Sequence, residues 1–282
     1  MDNLKQPLIS IIVPCYNCDP FLKETLNSVI NQTFQSWECI IVDDGSTDDS
    51  KIIAESYAKK DKRFTSISES NKGVSSARNK GIANSKGKYI LPLDADDKIG
   101  NTYLEKASTI LEMKQDVKIV YCEAELFELI NGKWNLPVFN LKDMLMENSI
   151  FCTAMFRKFD YEKTNGYNEK LQIGFEDWDF WLSMLESGGN VYKIPETCFY
   201  YRIREKSRNN SLTLEIQKDL RLQLFSYHQT LYENNHLSIK NIEDWYVNKK
   251  KTEKWKNSTR YKIYNFLISF FYQKFTAFKN KK

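Results

Sequence analysis

Leu8-Ile9-Ser10-Ile11-Ile12-Val13-Pro14-Cys15-Tyr16-Asn17 is the stretch that decides how the chain is read. Its apolar run is short, rich in β-branched residues and stopped by Pro14. Such a run reads as a parallel strand buried on both faces. The polar residues after it mark the strand's carboxyl end. The same unit recurs downstream. Phe21 to Gln32 carries apolar residues at 21, 22, 26, 29 and 30, a helical stripe. Trp37 to Val42 is a second buried strand that runs into Asp43-Asp44-Gly45-Ser46-Thr47, where Ser46 or Thr47 is placed to cap a helix over about 48–59. Phe64 to Ser68 reads as a third strand and Gly73 to Ala83 as a helix. Tyr89 to Leu93 is a fourth strand, ending on Asp94-Ala95-Asp96-Asp97.

Strands alternating with helices imply an α/β fold, a doubly wound and mostly parallel sheet with flanking helices. Ligands of such sheets bind beyond the carboxyl ends of the strands. The loops at Cys15-Tyr16-Asn17, Asp43-Asp44-Gly45 and Asp94 to Asp97 are therefore expected on one edge. After Asp97 the pattern changes. A helix near 101–114 precedes strands near 117–121 and 124–130, with Asn131-Gly132 as a hairpin turn. Phe151 to Arg157 reads as a strand and Asp177 to Glu186 as a helix ended by Gly188-Gly189. Strands near 190–194 and 198–203 follow. Composition shifts near residue 211. The expected organisation is an α/β domain over 1–211 and a helical C-terminal extension over 212–282.

Composition narrows the function classes. The net charge of the 282 residues is only +4, too weak to indicate a nucleic-acid-binding protein. The basic character is concentrated in the tail, where Lys249 to Lys282 holds many cations and the single acid Glu253. Among the cations of Arg260 to Lys282 lie Tyr261, Phe266, Phe270, Phe271, Phe275 and Phe278, a pattern suited to an interfacial helix on anionic lipid or to packing on the domain or a second subunit. No run of apolar residues is long enough to span a bilayer, and no signal peptide is visible. Cys15 and Cys18 form a lone C-x-x-C with no second pair, and His228 and His236 are remote in sequence. Reduced thiols in a cytoplasmic protein are the expectation, with the inner face of the membrane as a peripheral location.

Several groups of residues carry chemistry. Asp94, Asp96 and Asp97 crowd the end of an apolar strand, where their charges need compensation. Hard divalent cations take such oxygen ligands and bridge them to substrate phosphates. Asp43 and Asp44 can accept hydrogen bonds from a base or ribose, and Tyr16 offers a ring for a nucleobase to stack on. Lys72 and Arg78 flank Gly73 at a helix start, where either can pair with phosphate or pin an acid. Glu176, Asp177 and Asp179 are interleaved with Phe175 and Trp178; partial desolvation there suits a general base. Arg202, Arg204, Lys206 and Arg208 make a cation-rich stretch able to close over a diphosphate.

Taken in order, these pieces resemble the family 2 glycosyltransferases of the GT-A fold over about residues 7–211. The matching segments are Ile11-Ile12-Val13-Pro14-Cys15-Tyr16-Asn17, Ser28-Val29-Ile30-Asn31-Gln32-Thr33, Ile41-Val42-Asp43-Asp44-Gly45-Ser46-Thr47-Asp48, Asn71-Lys72-Gly73-Val74-Ser75-Ser76-Ala77-Arg78-Asn79-Lys80-Gly81, Gly87-Lys88-Tyr89-Ile90, Leu93-Asp94-Ala95-Asp96-Asp97 and Gly174-Phe175-Glu176-Asp177-Trp178-Asp179. The resemblance implies an inverting enzyme that moves a sugar from a nucleotide-sugar donor, UDP first by family precedent, to a carbohydrate or lipid-linked acceptor. Bacterial surface polysaccharide or glycolipid synthesis is the implied setting. It further implies that Tyr16 and Asp44 grip the base, with Pro14 and Asp43 beside them. Asp94 and Asp96 resemble the D-x-D acids, and Asp97 is implied as the nearest ligand of Mn²⁺ or Mg²⁺, with Asp96 on the ribose or diphosphate. Asp177 matches the catalytic base, with Glu176 the second choice. Arg202 begins a loop in which the family often has His two residues on; this chain has Arg204, which cannot ligate a cation but can hold phosphate. Two rival functions are weaker. A sugar-nucleotide nucleotidyltransferase needs a Gly-rich, Arg-containing loop after the first strand, and Cys15-Tyr16-Asn17-Cys18 has none. A non-catalytic nucleotide- or carbohydrate-binding module has no need of the intact acids.

Overall fold

The computed structural model describes residues 6–205 and 212–256. The chain divides into two compact units, Met1–Ser211 and Leu212–Lys282. In the first unit β1 (Ile9–Cys15), β2 (Trp37–Asp43), β3 (Phe64–Ser68) and β4 (Tyr89–Pro92) lie parallel in the order β3-β2-β1-β4. Helices α1 (Asp19–Ile30), α2 (Ser50–Lys60) and α3 (Val74–Ala83) connect them. Every residue of β1 is buried, Ser10 included, as its largely apolar run requires. The sheet continues through β8 (Met155–Arg157), β6 (Val117–Glu128), β9 (Asn190–Ile203) and β5 (Lys98–Ile99), with β7 (Gly132–Trp134) paired to β6. β8 runs antiparallel to both β4 and β6, and β5 antiparallel to β9, so the sheet is mixed. Helices α4 (Tyr103–Met113), α5 (Leu141–Met144), α6 (Lys158–Tyr161) and α7 (Glu176–Leu185) complete the unit.

Register places the functional edge. Cys15 pairs with Asp43 across β1 and β2, and Ile12 pairs with Pro92 across β1 and β4. The Asp44 N–H donates to the Cys15 carbonyl (2.8 Å), and the Leu93 N–H to that of Ile12 (2.9 Å). The three strands thus release their chains side by side. Gly87 lies at the opposite end, tight against β1: a Cβ there would sit 2.5 Å from the Ser10 nitrogen. Because that neighbour is backbone, Gly87→Ala is expected to destabilise the fold by about 1–3 kcal/mol, measured as a lower urea midpoint at unchanged slope.

The second half departs from expectation in instructive ways. The two strands expected at 117–121 and 124–130 are one strand, β6, and those at 190–194 and 198–203 are one strand, β9. The pair is parallel, and its register jumps from Cys122 opposite Ile194 to Glu123 opposite Thr197. The bulge falls at Pro195, which has no N–H for the ladder, and this interrupts the apolar pattern without ending the strand. The strand expected from Phe151 narrows to Met155–Arg157. Ser46 and Thr47 do not cap α2, whose first turn follows Asp49 with no side-chain cap. They tie β2 to β1 instead: the Asn17 N–H donates to the Ser46 hydroxyl (3.0 Å) and the Thr47 N–H to Asn17 Oδ1 (2.8 Å).

The second unit contains α8 (Leu214–Tyr227), α9 (Gln229–Asn234) and α10 (Ile239–Lys256). Thr213 caps α8 by accepting from the Ile216 N–H (3.3 Å). The Arg221 guanidinium lies 3.7 Å from the centroid of the Trp245 ring on α10. Among the described residues no helix is long and apolar enough to cross a membrane. The aromatic stretch from Arg260 lies outside the described residues.

Candidate active site

A cleft of about 450 Å³ opens where β1, β2 and β4 end. Its wall includes Pro14, Cys15 and Tyr16 from β1 and its loop, Asp44 after β2, Asn71, Gly73 and Ala77 before and within α3, Asp94 to Asp96 after β4, and Tyr201, Arg202 and Arg204 at the end of β9. The volume is within the usual range for a small-molecule site. Tyr16 is 47% exposed, so its ring is open to a ligand. Asp43 is buried and accepts from the Ser46 N–H (3.2 Å), shaping the turn rather than lining the cleft. Asp44 lines the cleft, and its two carboxylate oxygens receive the backbone N–H groups of Lys72 (2.8 Å) and Gly73 (2.9 Å). Asp44 therefore fixes the loop at Gly73, whose φ of 94° suits glycine. Lys72 joins the site through its amide; its exposed side chain is not part of the wall.

Arg78 is the hinge of the arrangement. It is 1% exposed, and its guanidinium donates to Asp94 (2.7 Å) and to Glu176 (3.1 Å). One side chain from α3 thereby ties the loop after β4 to the first turn of α7. It is a structural cation, engaged by carboxylates and not facing a phosphate. Glu176 is 2% exposed and committed to this bond. Phe175, just before α7, adopts φ 67° and ψ 10°, a left-handed conformation that turns the chain sharply into the helix. Asp177 follows, half-buried; its Oδ1 accepts from the Trp178 N–H (2.7 Å) and its Oδ2 from Asn148 Nδ2 (3.3 Å). The Trp178 indole N–H donates to the Met144 carbonyl (2.7 Å), fastening α7 to the same segment. Asn148 carries no sequence signal of its role. Cys152 reports the convergence: burial pushes its thiol well up, Arg78 opposes this, and Asp94, Asp177 and Asp97 all add to it. Acids from two distant segments thus share one neighbourhood.

The D-x-D region separates into different jobs. Asp94 and Asp96 line the cleft. Burial first, then the charge of Asp94, raises the Asp96 carboxyl, while Arg204 and Arg202 pull it back. Asp97 does not line the cleft. It is 1% exposed, and its Oδ1 accepts the Arg202 N–H (2.8 Å). Burial, followed by Asp96 and Asp94, pushes its carboxyl well up. Arg202 is itself a clamp: Nε donates to the Asp96 carbonyl (2.7 Å), Nη1 to Glu128 (2.7 Å) and Nη2 to Glu24. Arg204 reaches the cleft and pairs with Asp96 at 2.6 Å. The acids of this turn that line the cleft are thus Asp94 and Asp96, each paired with an arginine. Among the described residues no group of three or more His, Cys, Asp or Glu is arranged around one ion position. One or two carboxylates completed by phosphate and water is the usual donor set for Mg²⁺ at a nucleotide, so the residues fit a divalent cation. Lys206 and Arg208 lie outside the described residues.

The glycosyl transferase family 2 model matches residues 10–182, which takes in all of these segments up to α7. The chain belongs to glycosyl transferase family 2. This glycosyltransferase is 31% identical over 238 residues to TuaG of Bacillus subtilis (strain 168), provisionally named a teichuronic acid biosynthesis glycosyltransferase; the match covers 81% of this chain and 90% of that one. The chain spans about a third of the length of the first curated relatives it matches. S. aureus TarS 1–349, solved with UDP-GlcNAc, superposes with a TM-score of 0.67 at 21% identity, covering 83% of this chain and 69% of that one. The mannosyltransferase PcManGT of Pyrobaculum calidifontis, solved with GDP-Man and Mn²⁺, gives a TM-score of 0.61 at 18% identity, covering 90% and 77%. Both share the GT-A fold with this glycosyltransferase.

Proposed function

We propose that this enzyme transfers a sugar with inversion from a nucleotide-sugar donor, a UDP-sugar first among them, to an acceptor hydroxyl in the building of a bacterial surface polysaccharide or glycolipid. The observation that carries the reading is the single cleft walled by Tyr16, Asp44, Asp94, Asp96 and Arg204, with Asp177 nearby. TarS was solved with UDP-GlcNAc and PcManGT with GDP-Man and Mn²⁺, and TuaG is named for teichuronic acid biosynthesis.

Tyr16 stacks on the base, and the loop held by Asp44 closes beneath the ribose. Asp96, with Asp94 beside it, would hold a divalent cation; Asp97 supports this pair from behind through the Arg202 amide. When bound, that cation supplies Lewis-acid stabilisation to the departing diphosphate. Arg204 adds a second positive charge on the same leaving group. Asp177 accepts the acceptor hydroxyl's proton as the oxygen bonds to the anomeric carbon. The bond to the diphosphate breaks on the opposite face, and the configuration inverts. Release of nucleoside diphosphate from a panel of UDP-, GDP- and dTDP-sugars, together with the anomeric configuration of the product, tests this directly. Retained configuration, or no turnover of any donor, refutes it. Tyr16→Ala is expected to weaken UDP binding by about 1–3 kcal/mol in calorimetry, with little change in melting temperature.

The basic and aromatic stretch from Arg260 to Lys282 brings the enzyme to an anionic bilayer, where a lipid-linked acceptor is found. Deleting 258–282 is expected to abolish co-sedimentation with anionic liposomes, and unchanged co-sedimentation rejects the idea.

A further inference from the structure

We propose that Arg204 is a built-in counter-cation for Asp96, so that the cleft accepts a divalent cation only together with a nucleoside diphosphate. The inference rests on the reading of Asp96 as the cation-facing acid.

Asp94, Asp96 and Asp97 stand within one four-residue turn, and burial makes their mutual repulsion costly. All three are engaged from the protein side. Asp94 takes Arg78, and Asp97 takes the Arg202 amide. Asp96 takes Arg204, whose Nη2 lies 2.6 Å from Oδ2. This pair differs from the Arg78 pair in position. The Arg78 side chain is 1% exposed and locked, whereas that of Arg204 is 30% exposed and lines the cleft beside Asp96, which is 16% exposed. The Arg204 guanidinium also lies 5.1 Å from the Phe21 ring centroid, a cation–π contact that holds it over the acid.

A divalent cation binding alone to Asp96 must therefore displace, or sit against, a guanidinium of like sign. A nucleoside diphosphate changes the balance. Its oxygens offer Arg204 a new bidentate partner, and the guanidinium shifts from the carboxylate to the phosphate. The face of Asp96 that it leaves then has a cation-binding carboxylate beside a diphosphate. Cation and nucleotide bind with positive coupling, which is reciprocal by linkage.

The test uses Mn²⁺ alone and UDP as probes, on the full chain. Free Mn²⁺ is followed by electron paramagnetic resonance, and UDP binding by calorimetry in the absence of metal. Wild type is expected to bind Mn²⁺ weakly, and Arg204→Gln roughly tenfold more tightly. The same variant is expected to bind metal-free UDP roughly tenfold more weakly. Arg204→Lys, which keeps the charge, is expected to resemble wild type in Mn²⁺ affinity and thereby to exclude a general loosening of the loop. Equal Mn²⁺ affinity of wild type and Arg204→Gln overturns the proposal. A failure of wild type to bind UDP under any condition instead overturns the proposed nucleotide cleft beneath it.

Discussion

Replacing Asp177 by Asn is expected to lower the rate of sugar transfer by roughly a thousandfold while leaving UDP binding within about twofold of wild type. The geometry explains why the two effects part. Asp177 accepts from the Trp178 N–H and from Asn148, and an amide oxygen can keep one of these bonds. The side chain stays in place but can no longer take a proton. It does not line the nucleotide part of the cleft, so donor affinity is spared. Glu176→Gln is the informative comparison. Glu176 is buried against Arg78, and its loss weakens a structural bond, not proton transfer. Steady-state kinetics of the two variants at saturating donor separates the roles. If Glu176→Gln loses the chemistry and Asp177→Asn retains it, the base has been assigned to the wrong acid.

Arg78→Met is expected to destabilise the fold by about 3–5 kcal/mol, the cost of stranding a buried carboxylate. Arg78 and Glu176 are both almost wholly buried, so neither reaches water when the other is removed. Asp94 loses a partner too, but at 33% side-chain exposure it is partly hydrated and adds less. The double variant Arg78→Met, Glu176→Gln removes the stranded charge and is expected to recover part of the loss, because a buried pair as a whole contributes less than either half costs to remove. Urea unfolding of the single and double variants measures this. Strict additivity of the two substitutions would show that the Arg78–Glu176 bond does not couple the loop after β4 to α7.

The strand ends were legible because burial leaves a plain trace in sequence. Ile11 to Val13 and Ile40 to Val42 are apolar without interruption, and polar residues start where the strands stop. Counting such runs places Tyr16, Asp44, Asp94 and Asp96 on one edge. What was not legible depends on contacts made far along the chain. Asp96 and Asp97 are neighbours of one type, and only the Arg202 amide, 105 residues on, turns Asp97 into the protein. Arg78 reads equally well as a phosphate ligand until Glu176, 98 residues away, is seen beside it. Asn148 belongs to no motif, and its contact with Asp177 exists only because Trp178 anchors the segment through Met144. β9 reads as two strands because Pro195 breaks a pattern that a bulge absorbs.

The central claim is that one cleft gathers the nucleotide, the cation and the base. A crystal structure with UDP and Mn²⁺ tests it most directly. The account predicts the uracil against Tyr16, the ribose near Asp44, the cation on Asp96 and Arg204 on the diphosphate. A nucleotide bound away from Tyr16 and Asp44, or a cation held by residues other than Asp94 and Asp96, would contradict it.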